Sequence, residues 1–112
     1  MKAYVPKRGD IAWLDFSPQV GHEQAGRRPA LVLTGQRYNA LCELALVCPI
    51  SSKQKGYLFE VKLPPQMRTE GVVITDQVRS FAWKGRHAEF KEAAPPELLD
   101  EVLERVGALL EL

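Results

Sequence analysis

Short apolar segments separated by turn-forming residues fill the chain up to residue 91, and this pattern constrains the fold more than any other feature. Runs of this length bounded by Gly, Pro, Ser and Asp are typical of strands. Within residues 57–63 the odd-numbered side chains are all apolar, as on the buried face of a strand. The predicted strands span residues 11–16, 29–33, 44–50, 57–63, 71–76 and 86–90, with a short helical turn over 78–84.

One helix is predicted at the C-terminal end. Pro95 and Pro96 suit the first turn of a helix, and Glu97 favours its positive N-terminal end. Apolar residues then recur at helical spacing in one wide stripe: Leu98, Leu99, Val102, Leu103, Val106, Leu109 and Leu110. This stripe can pack on the strands or against a second copy of the chain. Several short strands and one terminal helix predict a mainly β fold, a small bent barrel with helices on its outside.

The length of 112 residues predicts a single domain over residues 1–112. Hydrophobic residues make up 46% of the chain and charged residues 26%, which excludes a disordered or low-complexity chain. No apolar run approaches the roughly 20 residues that cross a bilayer. The charged start of the chain lacks the apolar stretch of a signal peptide. We therefore expect a cytoplasmic protein with no membrane segment.

The net charge of +1 hides an asymmetry along the chain. Residues 92–112 carry −5, so that residues 1–91 carry +6. A basic body attracts a polyanion such as nucleic acid over nanometre distances. A solvated mixed surface explains the same charge, and composition leaves both interpretations open.

Metal-ligating residues are sparse. Cys42 and Cys48 lack metal-ligand spacing, and the two histidines, His22 and His87, are not paired at such spacing either. We therefore expect no bound metal and no cofactor, so that any catalysis proceeds without them.

The densest polar segment spans residues 21–29 and leads directly into a predicted buried strand. It places Glu23, His22, Arg27 and Arg28 on one flexible loop, which offers a proton acceptor, a proton relay and an anion clamp. Sites are commonly built on such loops. The alternative is a solvated loop in which Arg28 pairs with a nearby acid.

Residues 23–33, Glu-Gln-Ala-Gly-Arg-Arg-Pro-Ala-Leu-Val-Leu, resemble the signature of the MazF/PemK toxins of bacterial toxin–antitoxin systems. The resemblance extends over residues 9–16, 48–52, 55–61 and 76–83, which occur in the family's order and cover nearly the whole chain. It implies an SH3-like barrel of the MazF/CcdB/PemK type that forms a homodimer. It further implies a metal-independent, sequence-specific endoribonuclease that cuts single-stranded mRNA by attack of a 2′-hydroxyl, inhibits growth and is neutralised by a MazE-like antitoxin with an acidic tail.

The same resemblance implies roles for individual residues. Arg28 stabilises the charge of the phosphorane, because its fork of donors suits phosphate oxygens better than its high pKa suits proton donation. Glu23 acts as general base or orients Arg28. Ser51 stands where the family commonly has threonine and donates to a phosphate oxygen, a role for which Ser52 competes. Further expected RNA-binding residues are Arg27, Ser52, Lys55, Tyr57, Asp76, Gln77, Arg79 and Arg86.

Two other functions fit a barrel of this kind. One is a CcdB-like toxin that binds DNA gyrase and cuts nothing, and the other is an inactive relative that serves as a binding module. The Glu23 to Arg28 loop together with Ser51 favours the nuclease, because a pure binding protein does not need these groups.

Overall fold

The computed structural model describes residues 3–18 and 21–112, in which strands dominate. The elements in chain order are β1 (Asp10–Asp15), β2 (Arg27–Val32), α1 (Gln36–Cys42), β3 (Ala45–Ser51), β4 (Glu60–Lys62), β5 (Val72–Ile74), a 3₁₀ turn (Thr75–Gln77), β6 (Arg79–Phe81), β7 (Glu89–Ala93) and α2 (Pro96–Leu109). The described strand pairs are antiparallel. A mainly β chain with a C-terminal helix is the architecture that the sequence predicts.

Strand β3 lies at the centre of the sheet, whose order is β4-β5-β3-β2-β1-β7, with β6 also paired to β3. One edge of β3 pairs with β2. The opposite edge pairs with β6 over residues 45–47 and with β5 over residues 50–51. Pro49, which has no N–H to donate, lies between these two stretches. The chain that leads from β5 to β6 therefore crosses the middle of β3, and Asp76 and Gln77 belong to it.

Both faces of this sheet are buried. One cluster contains Ile11, Leu31 and Ile50 together with Leu98 and Val102 of α2. The other contains Ala12, Leu14, Phe16, Ala30, Val32, Ala45, Val47, Phe81 and Trp83. Successive side chains of a strand point to opposite faces, so burial of both faces produces continuous apolar runs instead of alternation.

Four sequence predictions differ from the structure. The strand predicted over 71–76 ends at Ile74, and residues 75–77 form the 3₁₀ turn. The helical turn predicted over 78–84 is wrong, because residues 79–81 form β6 and pair with residues 45–47. The strand predicted over 57–63 is reduced to β4, since the residues before it form a turn around the Glu60 carboxylate. The last strand is Glu89–Ala93 instead of 86–90, and helix α1 was not predicted.

Helix α2 packs through only part of its apolar stripe. Leu98 and Val102 are buried, whereas Leu109 and Leu110 are 38% and 59% exposed, because the last turn extends beyond the core cluster that holds the first two. Within residues 3–18 and 21–112, no helix has the length and apolar character that crossing a membrane requires.

Candidate active site

Arg28 is the second residue of β2 and not part of the preceding loop. Its Nε donates to the Ala25 carbonyl at 2.9 Å and its Nη1 to the Ile50 carbonyl at 3.3 Å. Burial lowers the pKa of the guanidinium from its ordinary value, because desolvation penalises the charged form. Among the described residues no carboxylate pairs with it. The alternative in which Arg28 forms an ion pair with an acid is therefore wrong, and its charge is not neutralised.

The two serines that follow β3 differ in their surroundings. Ser51 is 7% exposed and its Oγ accepts from the Lys53 amide at 3.1 Å, so that this hydroxyl holds the turn after β3. Ser52 is exposed and lines a cavity together with Arg28. Ser51 and Ser52 directly follow Ile50, whose carbonyl accepts a hydrogen bond from the guanidinium of Arg28. Both serines therefore lie within two residues of that contact along the chain.

Glu23 pairs with Arg79, not with Arg28. The Oε2 of Glu23 lies 3.2 Å from Nη1 of Arg79 in a half-exposed ion pair. The same guanidinium stacks on the Phe81 ring, with its central carbon 4.5 Å from the ring centroid. Arg79 therefore orients the Glu23 carboxylate and is itself fixed by an aromatic ring from β6.

Gln77 fastens the loop that carries Glu23. Its Oε1 accepts from the Gln24 amide at 3.0 Å, and its Nε2 donates to the His22 carbonyl at 3.3 Å. Both ends of the Gln77 amide are therefore used within the protein. The expected contact of Gln77 with RNA is therefore left to the second N–H of Nε2 and the second lone pair of Oε1.

Asp76 and Tyr57 form a direct hydrogen bond, in which the phenol donates to Oδ2 of the carboxylate. This bond raises the pKa of Tyr57, because ionised Tyr57 would face a second negative charge. The other oxygen of Asp76, Oδ1, is buried and has no hydrogen bond from the part of the chain that the structure describes. Tyr57 is 44% exposed, which leaves its ring available to a ligand.

Arg27 lies in a network of its own. It contacts Asp15 at 3.1 Å and Glu89 at 3.2 Å, and it donates to the His87 carbonyl at 2.8 Å. Hydrogen bonds from His87 and then from Arg27 lower the pKa of Asp15. The two acids offset the charge of Arg27, so that its expected contact with RNA competes with these partners.

Arg86 also makes structural contacts. Its Nη1 donates to the carbonyls of Asp15 and Ser17 at 3.1 and 2.9 Å. Its guanidinium stacks on Phe81 at 4.3 Å from the ring centroid. Phe81 thus contacts two arginines, Arg79 and Arg86, both of which we expected to bind RNA.

Glu60 is a positioning residue that the sequence did not reveal. Its carboxylate accepts the amides of Lys55, Gly56 and Tyr57 at distances from 2.8 to 3.3 Å. Desolvation raises the pKa of Glu60, but the three hydrogen bonds together outweigh it and the net shift is downward. The only local signal was an acid three to five residues after a lysine–glycine turn, a pattern that many loops share.

The three predicted catalytic residues line three neighbouring cavities. Arg28 lines one of about 390 Å³, Glu23 one of about 200 Å³ and Ser51 one of about 230 Å³. Gln24 and Gln77 line both smaller cavities, which therefore adjoin. The Ser51 cavity also contains Lys55 and Tyr57, and the Glu23 cavity contains Asp76 and Arg79. Across residues 3–18 and 21–112, no group of three or more His, Cys, Asp or Glu side chains is placed to hold a metal ion.

Comparison with known proteins agrees with this fold. A family model described as PemK-like, MazF-like toxin of type II toxin-antitoxin system matches residues 7–110. The endoribonuclease toxin MazF of Escherichia coli K12 is 44% identical over 107 residues, which cover 96% of each chain. The crystal structure of MazF from Deinococcus radiodurans superimposes with a TM-score of 0.95 at 48% identity, covering 98% of this chain and 100% of that one. A MazE–MazF complex from the same organism gives a TM-score of 0.88 at 43% identity, covering 98% and 99%.

The chain therefore belongs to the family of PemK-like, MazF-like toxins of type II toxin–antitoxin systems. The predicted fold class is confirmed by these structures, although the described sheet is an open path of strands. Within the family the chain is an endoribonuclease toxin, like the MazF and PemK enzymes to which it is similar.

Proposed function

We propose that this toxin cleaves single-stranded mRNA by attack of a 2′-hydroxyl on the adjacent phosphate, without a metal or cofactor. The observation that carries the proposal is Arg28, a half-buried guanidinium that is held by two backbone carbonyls and has no carboxylate partner among the described residues. A fixed, uncompensated cation of this geometry suits a phosphorane, whose negative charge grows in the transition state.

The reaction requires a base, a donor and charge stabilisation. Glu23, oriented by Arg79, takes the 2′-hydroxyl proton as the 2′-oxygen bonds to phosphorus. Arg28 holds the non-bridging oxygens, and a hydroxyl from Ser51 or Ser52 donates to one of them. The bond to the 5′-oxygen then breaks, and that oxygen takes a proton from a water molecule, whose hydroxide is neutralised by the proton that Glu23 releases. The products are a 2′,3′-cyclic phosphate and a free 5′-hydroxyl.

The substrate strand contacts the cavities that adjoin this centre. Lys55 and Tyr57 supply a cation and an exposed ring beside Ser51, and Asp76 lies next to them. Arg79, Arg86 and Arg27 contribute mainly by fixing the strand ends that carry these groups. We further propose that the toxin forms a homodimer in the cytoplasm. We also propose that a MazE-like antitoxin neutralises it, which the MazE–MazF complex of the Deinococcus radiodurans relative supports.

The experiment is cleavage of a long defined RNA by the purified protein with EDTA present, followed by mapping of the 5′ ends. Cuts at a recurring short sequence with 5′-hydroxyl ends are expected. Cleavage only after a divalent metal is restored, or 5′-phosphate ends, would contradict the proposed chemistry. The gyrase-binding and inactive alternatives are not favoured, because the curated relatives are endoribonucleases.

A further inference from the structure

The cleavage chemistry uses Arg28 but assigns no role to most of the cavity beside it. This cavity has a volume of about 390 Å³, and its walls include Trp13, Arg28, Pro29, Ser52, Thr69 and Lys91. We call it the Trp13 cavity. Small-molecule sites in proteins occupy roughly 300–1,000 Å³, so that one nucleotide is a suitable occupant in size.

Charge distinguishes the Trp13 cavity from the one that contains Glu23. Of the described residues that line the Trp13 cavity, Arg27, Arg28, Arg68 and Lys91 are cationic and only Glu70 is acidic. Asp15 and Glu89 offset the charge of Arg27, and Glu92 lies 3.8 Å from Lys91, so Arg28 and Arg68 contribute most of the excess. The Glu23 cavity is lined by one cation and two carboxylates. A ligand that carries a phosphate is therefore attracted to the Trp13 cavity more strongly.

An aromatic surface borders these cations. Trp13 lies on β1 directly opposite Pro29 of β2, and its indole is half-buried. The ammonium of Lys91 is 5.6 Å from the centre of its ring and donates to Oγ1 of Thr69 at 2.8 Å. An aromatic ring beside a positively charged groove is the arrangement by which proteins bind single-stranded nucleic acids.

The wall that carries Thr69 is fixed by a buried carboxylate. Glu92 is 9% exposed and accepts the amides of Arg68 and Thr69 at 3.2 and 2.6 Å, together with the hydroxyl of Thr69. The turn that carries Thr69 is thereby bonded to β7, the strand that also carries Lys91. The cavity is therefore preformed, which lowers the entropic cost of binding a ligand.

We propose that the Trp13 cavity is the subsite for a nucleotide next to the scissile phosphate, whose base packs against the Trp13 indole while its own phosphate faces Arg68 and Lys91. This inference rests on the proposed RNA cleavage and makes Trp13 a substrate-binding residue of the enzyme. Every nucleobase can stack on an aromatic ring. The subsite therefore requires that a base be present but does not select one of the four bases.

The first test combines a protein variant with an altered substrate. Trp13→Ala is expected to lower kcat/KM on normal RNA by about 5- to 150-fold, the range for loss of one base–aromatic stack, and Trp13→Phe should recover most of this loss. On RNA that is abasic at the adjoining position, wild type and Trp13→Ala should be equally active. Equal losses on both substrates would mean that Trp13 is only structural and would overturn the subsite. Failure of the wild type to cut any RNA would instead contradict the proposed function.

The second test measures binding without cleavage. An RNA with a 2′-O-methyl group at the cleaved position should quench the fluorescence of wild type, while Trp13→Phe should show little change, because the remaining Trp83 is 3% exposed. Equal quenching in both proteins would overturn the assignment. Quenching by an acidic peptide but not by RNA would also overturn it, and would identify the cavity as an antitoxin site.

Discussion

Replacing Arg28 by alanine is expected to abolish cleavage while the protein stays folded. The variant loses two hydrogen bonds from a charged donor, at 2.9 and 3.3 Å, to carbonyls in a half-buried position that water can reach. Such bonds contribute about 1 kcal/mol each after solvation is considered. A loss of about 2 kcal/mol is smaller than the 5–15 kcal/mol by which domains are typically stable, and it corresponds to a Tm lower by roughly 5–10 °C.

The expected loss of activity is much larger than the loss of stability. An arginine that stabilises the transition state of phosphoryl transfer contributes about 10³- to 10⁵-fold in rate, which corresponds to about 4–7 kcal/mol. Arg28→Lys keeps the charge but cannot contact both the Ala25 and the Ile50 carbonyl, since lysine lacks the planar fork. We therefore expect Arg28→Lys to retain partial activity, with a rate between those of wild type and Arg28→Ala.

The assay is single-turnover RNA cleavage at least 15 °C below the Tm of the least stable variant, roughly twice the expected shift. A matched control is Arg8→Ala, which removes another arginine-to-carbonyl bond, from Nε to Leu33 at 2.7 Å, outside the site. This control should lose some stability and no cleavage rate. Cleavage by Arg28→Ala within tenfold of wild type, about 1.4 kcal/mol, would refute the assignment of Arg28 to charge stabilisation, and an equal loss in Arg8→Ala would trace the effect to stability.

Three further changes test positions around the site. Gly71→Ala should destabilise the fold by about 3 kcal/mol, because a Cβ at its φ of +117° would lie 2.0 Å from the Ser51 carbonyl oxygen; unchanged urea unfolding would contradict this. Glu92→Gln should lower stability by about 1–3 kcal/mol, since its amide would face the Thr69 N–H. Desolvation raises the pKa of Glu92, but the hydrogen bonds from Thr69 and Arg68 and the charge of Lys91 outweigh desolvation, so the net shift of this pKa is downward. The ionised carboxylate therefore stabilises the fold above its unfolded pKa, and this stabilisation is lost as the pH falls through its lower folded pKa. Glu92→Gln should flatten this part of the plot of stability against pH. Glu23→Gln should slow cleavage at unchanged RNA affinity, and weaker affinity alone would make Glu23 a binding residue.

The strands that the sequence predicted well are those with apolar runs on both faces. Residues 29–33 and 44–50 carry such runs. Strands β2 and β3 begin and end within three residues of these predicted bounds. Strand β6 has only Arg79, Ser80 and Phe81, too few residues for any period to be visible. It exists because residues 45–47 offer a free strand edge, a partner more than thirty residues away that no local pattern contains.

The sequence indicated candidate site residues but not the pairings between their side chains. The motif indicated Glu23, Arg28 and Ser51. Which acid pairs with which arginine depends on contacts between residues far apart in the sequence, such as Glu23 and Arg79, which are 56 positions apart. Glu60 and Glu92 escaped notice for the same reason, because a carboxylate that binds backbone amides leaves no signature at the amide positions.

Arg27 and Arg28 show why residue type alone does not assign function. They are consecutive on β2, so their side chains leave opposite faces of the strand. On one face Arg27 meets Asp15 and Glu89, whose charges offset its own. On the other face Arg28 meets only carbonyl oxygens among the described residues, which orient a guanidinium without neutralising it. Whether a cation in residues 1–91 can act on a phosphate is therefore set by where the carboxylates lie, and of these two neighbours it is Arg28 that keeps an uncompensated charge.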